Sequence, residues 1–334
     1  MTSLTSNTIT SSLSIEVLPE ELLILIFSDL NWKDIINVKK TCKLFFTIIE
    51  SNLRRLQKPK LQKLLINSTI ESDTRCKISF IFKYNETKEI TIIIYNNDFK
   101  KNTEKFYDVG YLFKRMDLSD LYIITISSIG NTILFDILNH YFPSSIKVEQ
   151  INIKIKNCPV FRGFTKFIEK INHLYILNIE HLCFGNQKIP SNYTFPKFNG
   201  LEEFNIKECS KTKFFNAKML EKVLKTSPAI NQLGIFTERN NLEYTVINTI
   251  RQKQNSKHSD NCNEDYYAIA LPNRNVTNTL DGLKKYYKNR SVTFDEDLRF
   301  HGSVYISTEC NSCEKVNYIH FIYLNTERFC EECC

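Results

Sequence analysis

Cysteines are concentrated at the end of this 334-residue chain, and their spacing is typical of a metal site. The segment reads Cys310-Asn-Ser-Cys313 and, after sixteen further residues, Cys330-Glu-Glu-Cys333-Cys334. Two C-x2-C pairs at this separation supply four thiolates, which is the number of ligands that a structural Zn²⁺ takes in a tetrahedron. We therefore predict a structural zinc site here, with unligated thiols as the alternative. The predicted ligands are Cys310, Cys313, Cys330 and Cys333.

An apolar run, Tyr318–Leu324, lies between the two cysteine pairs and has the composition of a strand. We expect residues 310–334 to form a small Cys-rich hairpin in which this strand folds back and holds the two pairs together. Such a site would be structural, because four thiolates leave no open position for a catalytic water.

No catalytic motif accompanies the cysteines. The sequence contains no glycine-rich phosphate loop, no G-x-S-x-G turn and no H-E-x-x-H helix. The six histidines are scattered, and none forms an obvious pair with a cysteine. We therefore predict a non-catalytic protein.

Composition indicates an ordinary globular protein of two or three domains: 42% of residues are hydrophobic and 24% are charged. The net charge of +7 is mild for this length and makes nucleic acid an unfavoured partner. The start of the chain lacks the pattern of a signal peptide, and no apolar run approaches the ~20 residues that span a membrane. We expect a cytoplasmic or nuclear protein with no membrane contact, in which reduced cysteines are available to bind metal.

The first informative elements are three short helices near the N-terminus. Pro19 suits a first helical turn, and apolar residues follow at helical spacing up to Leu30. Asn31 is a good N-cap for a second helix, and a third starts near Thr41. Three helices within about 35 residues carry more apolar side chains than so small a bundle can cover, which predicts a partner surface.

This segment resembles the F-box motif, from Leu18-Pro19-x-Glu21-Leu22-Leu23 through Cys42-Lys43 and Phe45 to Ile48-Ile49. The resemblance departs from the family pattern at Thr41, where an aliphatic residue is usual. It implies a substrate-recognition adaptor of a Skp–cullin–F-box ubiquitin ligase, which binds a Skp-type adaptor and, through it, a cullin. The residues that it implies for Skp-adaptor binding are Leu18, Pro19, Leu22, Ile26, Leu30, Ile35, Val38, Cys42 and Phe45.

A six-residue pattern, apolar-x-x-apolar-x-apolar, recurs after the N-terminal module. It begins at Ile90, Leu118, Val148, Leu174, Leu201 and Ile230. Successive starts are 26 to 30 residues apart. This spacing and this template resemble leucine-rich repeats. In such repeats each unit is a strand followed by a helix, and neighbouring strands are parallel. In the fourth unit, Pro190 and Pro196 predict an irregular loop instead of a helix.

The repeat predicts a surface that binds an unknown target protein. Side chains alternate along a strand, so the residues between the apolar positions face away from the core. We expect two rows on that face, with an ordinary solvated sheet face as the alternative. The predicted target-binding residues are Asn152, Asn178 and Asn205 in one row and Lys154, Glu180 and Lys207 in the other.

The predicted fold class is α/β: a three-helix F-box, a leucine-rich-repeat-like strand–helix solenoid and the Cys-rich hairpin. The predicted segments are a disordered N-terminus (1–14), the F-box (15–50), a helical linker (51–65), the repeat domain (66–253), an unassigned α/β continuation (254–309) and the zinc-binding tail (310–334). The predicted function is target recognition for a ubiquitin ligase. The alternative is a nucleic-acid-binding protein with a basic surface and a C-terminal zinc ribbon.

Overall fold

The computed structural model describes residues 15–72, 75–84, 88–95, 104–130, 132–209, 211–212, 214–237, 245–246, 248–250, 252, 266–272, 292–295, 303–309 and 316–324. The chain divides into two compact units, residues 1–59 with 114–117 and residues 60–113 with 118–334. The predicted disorder of residues 1–14 lies outside the described residues. Within the described parts of the chain, no helix is both long and apolar enough to cross a membrane.

The first unit contains three helices, α1 (Glu20–Ser28), α2 (Trp32–Lys39) and α3 (Lys43–Ser51). Local chemistry starts each of them. Pro19 precedes α1, where its missing N–H costs nothing. The Asn31 side chain caps α2 by accepting hydrogen bonds from the second and third helical N–H groups, and the Cys42 sulfur accepts one from the N–H of Phe45.

The core of the first unit is apolar and closely packed. The rings of Phe27 and Phe45 meet edge to face with centroids 5.3 Å apart. The buried members of this core are Leu23, Ile24, Phe27, Ile35, Phe45, Ile48, Ile49 and Leu56. Leu56 lies beyond α3, so the packed module is longer than residues 15–50.

The first unit contains an ion-pair network of three side chains. The Glu50 carboxylate accepts hydrogen bonds from Lys39 and Arg115, and each of these side chains is largely buried. Burial by itself raises the pKa of the Glu50 carboxyl, but the hydrogen bonds from Lys39 and Arg115 outweigh it, so the pKa lies below its ordinary value.

The second unit is built on one sheet that contains twelve strands within the described residues, in the order β10-β11-β12-β9-β8-β7-β6-β5-β4-β1-β2-β3. The strands are β1 (Lys63–Ser72), β2 (Arg75–Lys83), β3 (Glu89–Tyr95), β4 (Asp120–Ile129), β5 (Ile146–Lys156), β6 (Ile171–Leu182), β7 (Glu203–Glu208), β8 (Gln232–Phe236), β9 (Tyr266–Pro272), β10 (Val292–Asp295), β11 (Ser303–Glu309) and β12 (Val316–Leu324). Neighbours from β4 through β9 are parallel, and so are β1 with β4 and β9 with β12.

Helices connect several of these parallel strands, as α/β crossovers require. They are α4 (Glu104–Arg115), whose last two residues belong to the first unit, α5 (Leu134–Tyr141), α6 (Phe161–Ile168) and α7 (Ala217–Thr226). Burial alternates along β5 and β7, so one face of the sheet is apolar and the other carries half-buried polar side chains. Aromatic rings fill the apolar side, where Phe135 of α5 meets Phe164 of α6 edge to face at 5.8 Å.

The predicted α/β class is confirmed, and the strands predicted at Leu174–Ile179 and Leu201–Ile206 are parallel neighbours. The segment between β6 and β7 contains no helix, as Pro190 and Pro196 predicted. The same sheet also continues past residue 253, through β9 to β12. The predicted segment boundaries at 253/254 and 309/310 therefore do not divide the sheet.

Two predictions about this region are wrong. The first repeat unit, Ile90–Tyr95, is not a parallel repeat, because β3 pairs antiparallel with β2. Only a short connection joins β2 to β3, and a parallel pair needs a crossover of a dozen or more residues.

The helical linker predicted at 51–65 is also absent: α3 ends at Ser51, and β1 begins at Lys63. Pro59 disfavours helix around it. From Leu64 onward, buried and less buried residues alternate with the period of a strand.

Candidate functional sites

The outer side of α1 is an apolar surface. Leu22, Leu25 and Ile26 recur at helical spacing and are exposed, with 61% of Leu25 accessible, while Leu23 and Phe27 on the other side of the helix are buried. The turn before α1 adds further exposed apolar side chains. We call this set the α1 apolar surface: Ile15, Val17, Leu18, Leu22, Leu25 and Ile26.

The residues that the F-box resemblance implies for Skp binding fall into three groups in the structure. Leu18, Pro19, Leu22 and Ile26 are exposed. Leu30, Val38 and Cys42 are half-buried against the helical core, and Ile35 and Phe45 lie inside it. The last two therefore hold the helices together in this structure. Sequence reasoning omitted Ile15, Val17 and Leu25, although the spacing of Leu25 from Leu22 already indicated the same side of the helix.

The second candidate surface is the polar face of the sheet. Asn152, Asn178 and Asn205 lie in register on β5, β6 and β7, and we call them the asparagine row. The amide of Asn178 donates to Asn152 Oδ1 at 3.4 Å, and Asn205 donates to Glu203 Oε1 at 2.6 Å. These amides are half-buried, and their hydrogen bonds to neighbouring side chains orient them, which leaves a hydrogen-bonding surface of defined geometry.

The predicted second row is interrupted. Lys154 lies opposite His181, not Glu180, because β6 contains one extra residue relative to β5 between Ile179 and His181. Glu180 is exposed at this bulge, and Lys207 on β7 lies opposite Phe236 on its other side. Lys154, Glu180 and Lys207 therefore do not form a continuous row, since a bulge shifts every later position of the strand.

An aromatic cluster extends the polar face beyond the asparagine row. Four residues lie in register with Asn205 on the strands that follow β7 across the sheet. They are Gly234 on β8, Ala268 on β9, His320 on β12 and Tyr305 on β11. The Tyr266 hydroxyl and His320 Nδ1 are 3.4 Å apart, and the Tyr305 ring lies 5.5 Å from that of Tyr318. Burial raises the pKa of the Tyr305 hydroxyl, and the neighbouring Tyr318 and Tyr266 raise it further. Sequence reasoning missed this cluster; the alternation of Tyr318 and His320 along one strand was its only signal.

A third feature is a group of side chains that could hold a metal ion. His181, Cys183 and Cys209 offer ligand atoms that lie within 4.8 Å of one another, and all three residues are buried. The sequence did not make this group obvious. His181 and Cys183 are two residues apart, but Cys209 joins them only through the pairing of β6 with β7, which the sequence did not display.

The predicted zinc ligands Cys310, Cys313, Cys330 and Cys333 lie outside the described residues. The strands around the first pair are described: β11 ends at Glu309, and β12 starts at Val316 and runs antiparallel to it. None of the five cysteines that the structure describes forms a disulfide.

Comparisons with known proteins agree with the first of these features. Residues 15–56 match the family model described as F-box-like, so the N-terminal three-helix module is an F-box-like domain. The match ends at Leu56, the last buried residue of the helical core. Neither a curated protein nor a solved structure matches the chain. The leucine-rich-repeat assignment is not confirmed by these comparisons and stays a prediction.

Proposed function

We propose that this chain is a substrate-recognition adaptor of a Skp–cullin–F-box ubiquitin ligase. The observation that carries the proposal is the coincidence of the F-box-like match at 15–56 with the exposed α1 apolar surface. At the level of the family, an F-box-like domain suggests such an adaptor, which is typically non-catalytic and works in the cytoplasm or nucleus.

The physical argument concerns what covers the α1 apolar surface. Leu23, Ile24 and Phe27 belong to the buried core of the helical module, whereas Leu22, Leu25 and Ile26 lie outside that core and are exposed. Contiguous exposed apolar side chains are costly in water and usually mark a protein interface. A Skp-type adaptor is the partner that the family implies, and a cullin would be reached through it.

Target binding is assigned in this proposal to the polar face of the sheet. The asparagine row supplies amide donors and acceptors, while Tyr266, Tyr305, Tyr318 and His320 supply aromatic contact area. Aromatic anchors beside hydrogen-bonding groups are the usual composition of a protein interface. Lys154, Glu180 and Lys207 stay candidate contacts at the margin of this surface.

The first experiment tests adaptor binding. The full chain should recover a Skp-type adaptor and a cullin from cells, and Leu22→Asp with Ile26→Asp should abolish recovery because each places an unpaired charge in an apolar interface. Ile90→Asp with Ile93→Asp is the matched control, since both isoleucines are exposed to a similar extent but lie on β3. The proposal fails if the wild-type chain recovers no such adaptor, or if the α1 variant recovers it as well as the control does.

The second experiment tests target binding. A target should bind both the wild-type chain and the Leu22→Asp, Ile26→Asp variant, but should be ubiquitinated only with the wild type. Alanine at Asn152, Asn178 and Asn205 should then weaken target binding while leaving the Skp-type adaptor bound. A second variant carries alanine at Tyr266 and Tyr305. If target affinity is unchanged in both variants, the polar face is not the target-binding site.

A further inference from the structure

His181, Cys183 and Cys209 meet where two parallel strands end. Cys183 directly follows β6, and Cys209 directly follows β7. Leu182 and Glu208 are register partners, and the Cys209 N–H donates to the Leu182 carbonyl at 3.2 Å. The two cysteines therefore come side by side, and they pack against each other as a pair separate from the other buried clusters.

A bulge in β6 creates this arrangement. Ile179 pairs with Ile206, but the next pair along is Leu182 with Glu208, so β6 advances three residues while β7 advances two. Without the extra residue, Leu182 would lie beside Cys209. With it, Cys183 takes that place. His181 is two residues before Cys183 and so lies on the same side of the strand. Bulges often redirect side chains next to functional sites.

The dimensions suit a bound ion. The three ligand atoms lie within 4.8 Å of one another. Two sulfurs bound to one tetrahedral Zn²⁺ at ~2.3 Å are themselves about 3.8 Å apart, so bringing the Cys183 and Cys209 sulfurs onto one ion requires a contraction of at most about 1 Å. The Lys211 N–H also donates to the Cys209 sulfur at 3.3 Å. Such a bond orients and stabilises a metal-bound thiolate.

The donor set determines which ion fits. Two thiolates and an imidazole favour soft or borderline ions such as Zn²⁺ and disfavour Mg²⁺ and Ca²⁺, which take oxygen ligands. Both cysteines are fully buried and His181 is almost so. Two thiolates with a divalent cation carry no net charge, which a buried position tolerates far better than separate charges.

We propose that His181, Cys183 and Cys209 bind Zn²⁺ and that the ion fastens β6 to β7 at the bulge. The three side chains fill three of the four tetrahedral positions of Zn²⁺, so a small molecule such as water completes the fourth. Because all three ligands are buried, the role of the ion is structural. The ion holds the strand ends that follow Asn178 and Asn205, and thereby stiffens the centre of the polar face. This site is separate from the one predicted at Cys310, Cys313, Cys330 and Cys333.

The experiment uses the full chain with serine at those four C-terminal cysteines, so that the site predicted there cannot contribute to the metal content. Protein purified under reducing conditions should hold about one zinc ion per chain. After exchange with Co²⁺ it should show thiolate-to-cobalt charge-transfer absorption. His181→Gln, Cys183→Ser and Cys209→Ser should each lose the metal. Cys76→Ser is the matched control, because Cys76 is also buried but lies on β2 away from the cluster.

A rescue variant separates ligation from folding. His181→Cys replaces the imidazole by a thiolate, which also binds Zn²⁺, and should keep the metal with an altered cobalt spectrum, whereas His181→Gln should lose it. The proposal is overturned if the four-serine chain holds less than about a tenth of a zinc ion and shows no charge-transfer band. Zinc retained by all three ligand variants, or a Cys183–Cys209 disulfide in place of the metal, would overturn it equally.

Discussion

The side-chain amide of Asn205 occupies the space that a Cβ atom on Gly234 would need. The two residues are register partners on β7 and β8, and Gly234 is buried beneath the amide. The missing side chain at Gly234 thus permits the orientation in which Asn205 donates to Glu203. The geometry of the asparagine row depends on this glycine.

We expect Gly234→Ala to destabilise the second unit by about 1–3 kcal/mol, which is the usual cost of overpacking. Thermal unfolding followed by circular dichroism measures the effect. The double variant Asn205→Ala, Gly234→Ala should recover most of the loss, because it removes the amide that the new methyl group meets. If the two single effects simply add, Asn205 and Gly234 are not coupled in the way the structure indicates.

A second prediction separates the two sides of the F-box-like helices. Ile35→Ala should lower the free energy of unfolding of the first unit by about 2–5 kcal/mol, because it empties a buried site. Leu25→Ala should change it by no more than about 0.5 kcal/mol but weaken binding of a Skp-type adaptor. Trp32 is the single tryptophan of the chain, so its fluorescence during denaturation reports this unit alone. Equal stability losses in the two variants would contradict the assignment of an inner and an outer side.

Sequence reasoning identified the helical module and most of the parallel strands because both depend on local patterns. Asn31 caps a helix through its own neighbours, and the alternation along β5 is visible in its residues. The prediction of a helical linker was wrong because the leucines in 51–65 fit either a helix or a strand. The pairing of β1 with β2 and β4 selects the strand from Lys63 onward.

The cluster of His181, Cys183 and Cys209 could not have been predicted, for a different reason. His181 and Cys183 reach Cys209 only because β6 gains one residue between Ile179 and Leu182. A bulge is a property of two paired strands, and a single strand's sequence does not display it. The same bulge removed Glu180 from the row in which strict alternation had placed it.

A third prediction concerns pH. The pKa of Glu50 is depressed in the folded chain, so its ion pair with Lys39 and Arg115 contributes stability above the ordinary carboxyl pKa of 4.5. That contribution is lost as the pH falls below 4.5 and through the lower folded-state pKa. Glu50→Gln should cost about 1–3 kcal/mol at neutral pH and flatten the acid limb of the stability curve of the first unit.

The control for this prediction is Glu221→Gln. Glu221 pairs with Lys225 on α7, and this exposed helical pair is screened by water. Unfolding followed by circular dichroism, which reports both units, should therefore show a pH-dependent loss of stability for Glu50→Gln and none for Glu221→Gln. A Glu50→Gln variant that is less stable by the same amount at every pH would indicate a loss of packing instead of a loss of charge.

The last prediction concerns the C-terminal cysteines and can be kept separate from the inner cluster. Cys310 and Cys313 lie between β11 and β12 in the chain, so an ion shared with Cys330 and Cys333 would fasten the segment that follows β12 to the connection between these two strands. Because ligand geometry is absent from an unfolded chain, the free energy of metal binding becomes local folding free energy. Serine at these four positions should remove one zinc ion and speed hydrogen exchange in β11 and β12, while β6 and β7 stay protected, since their own ligands are untouched. Serine at Cys183 and Cys209 should instead speed hydrogen exchange in β6 and β7 and leave β11 and β12 protected. If the four-serine chain shows unchanged hydrogen exchange in β11 and β12 and an unchanged zinc content, the C-terminal cysteines are unligated thiols.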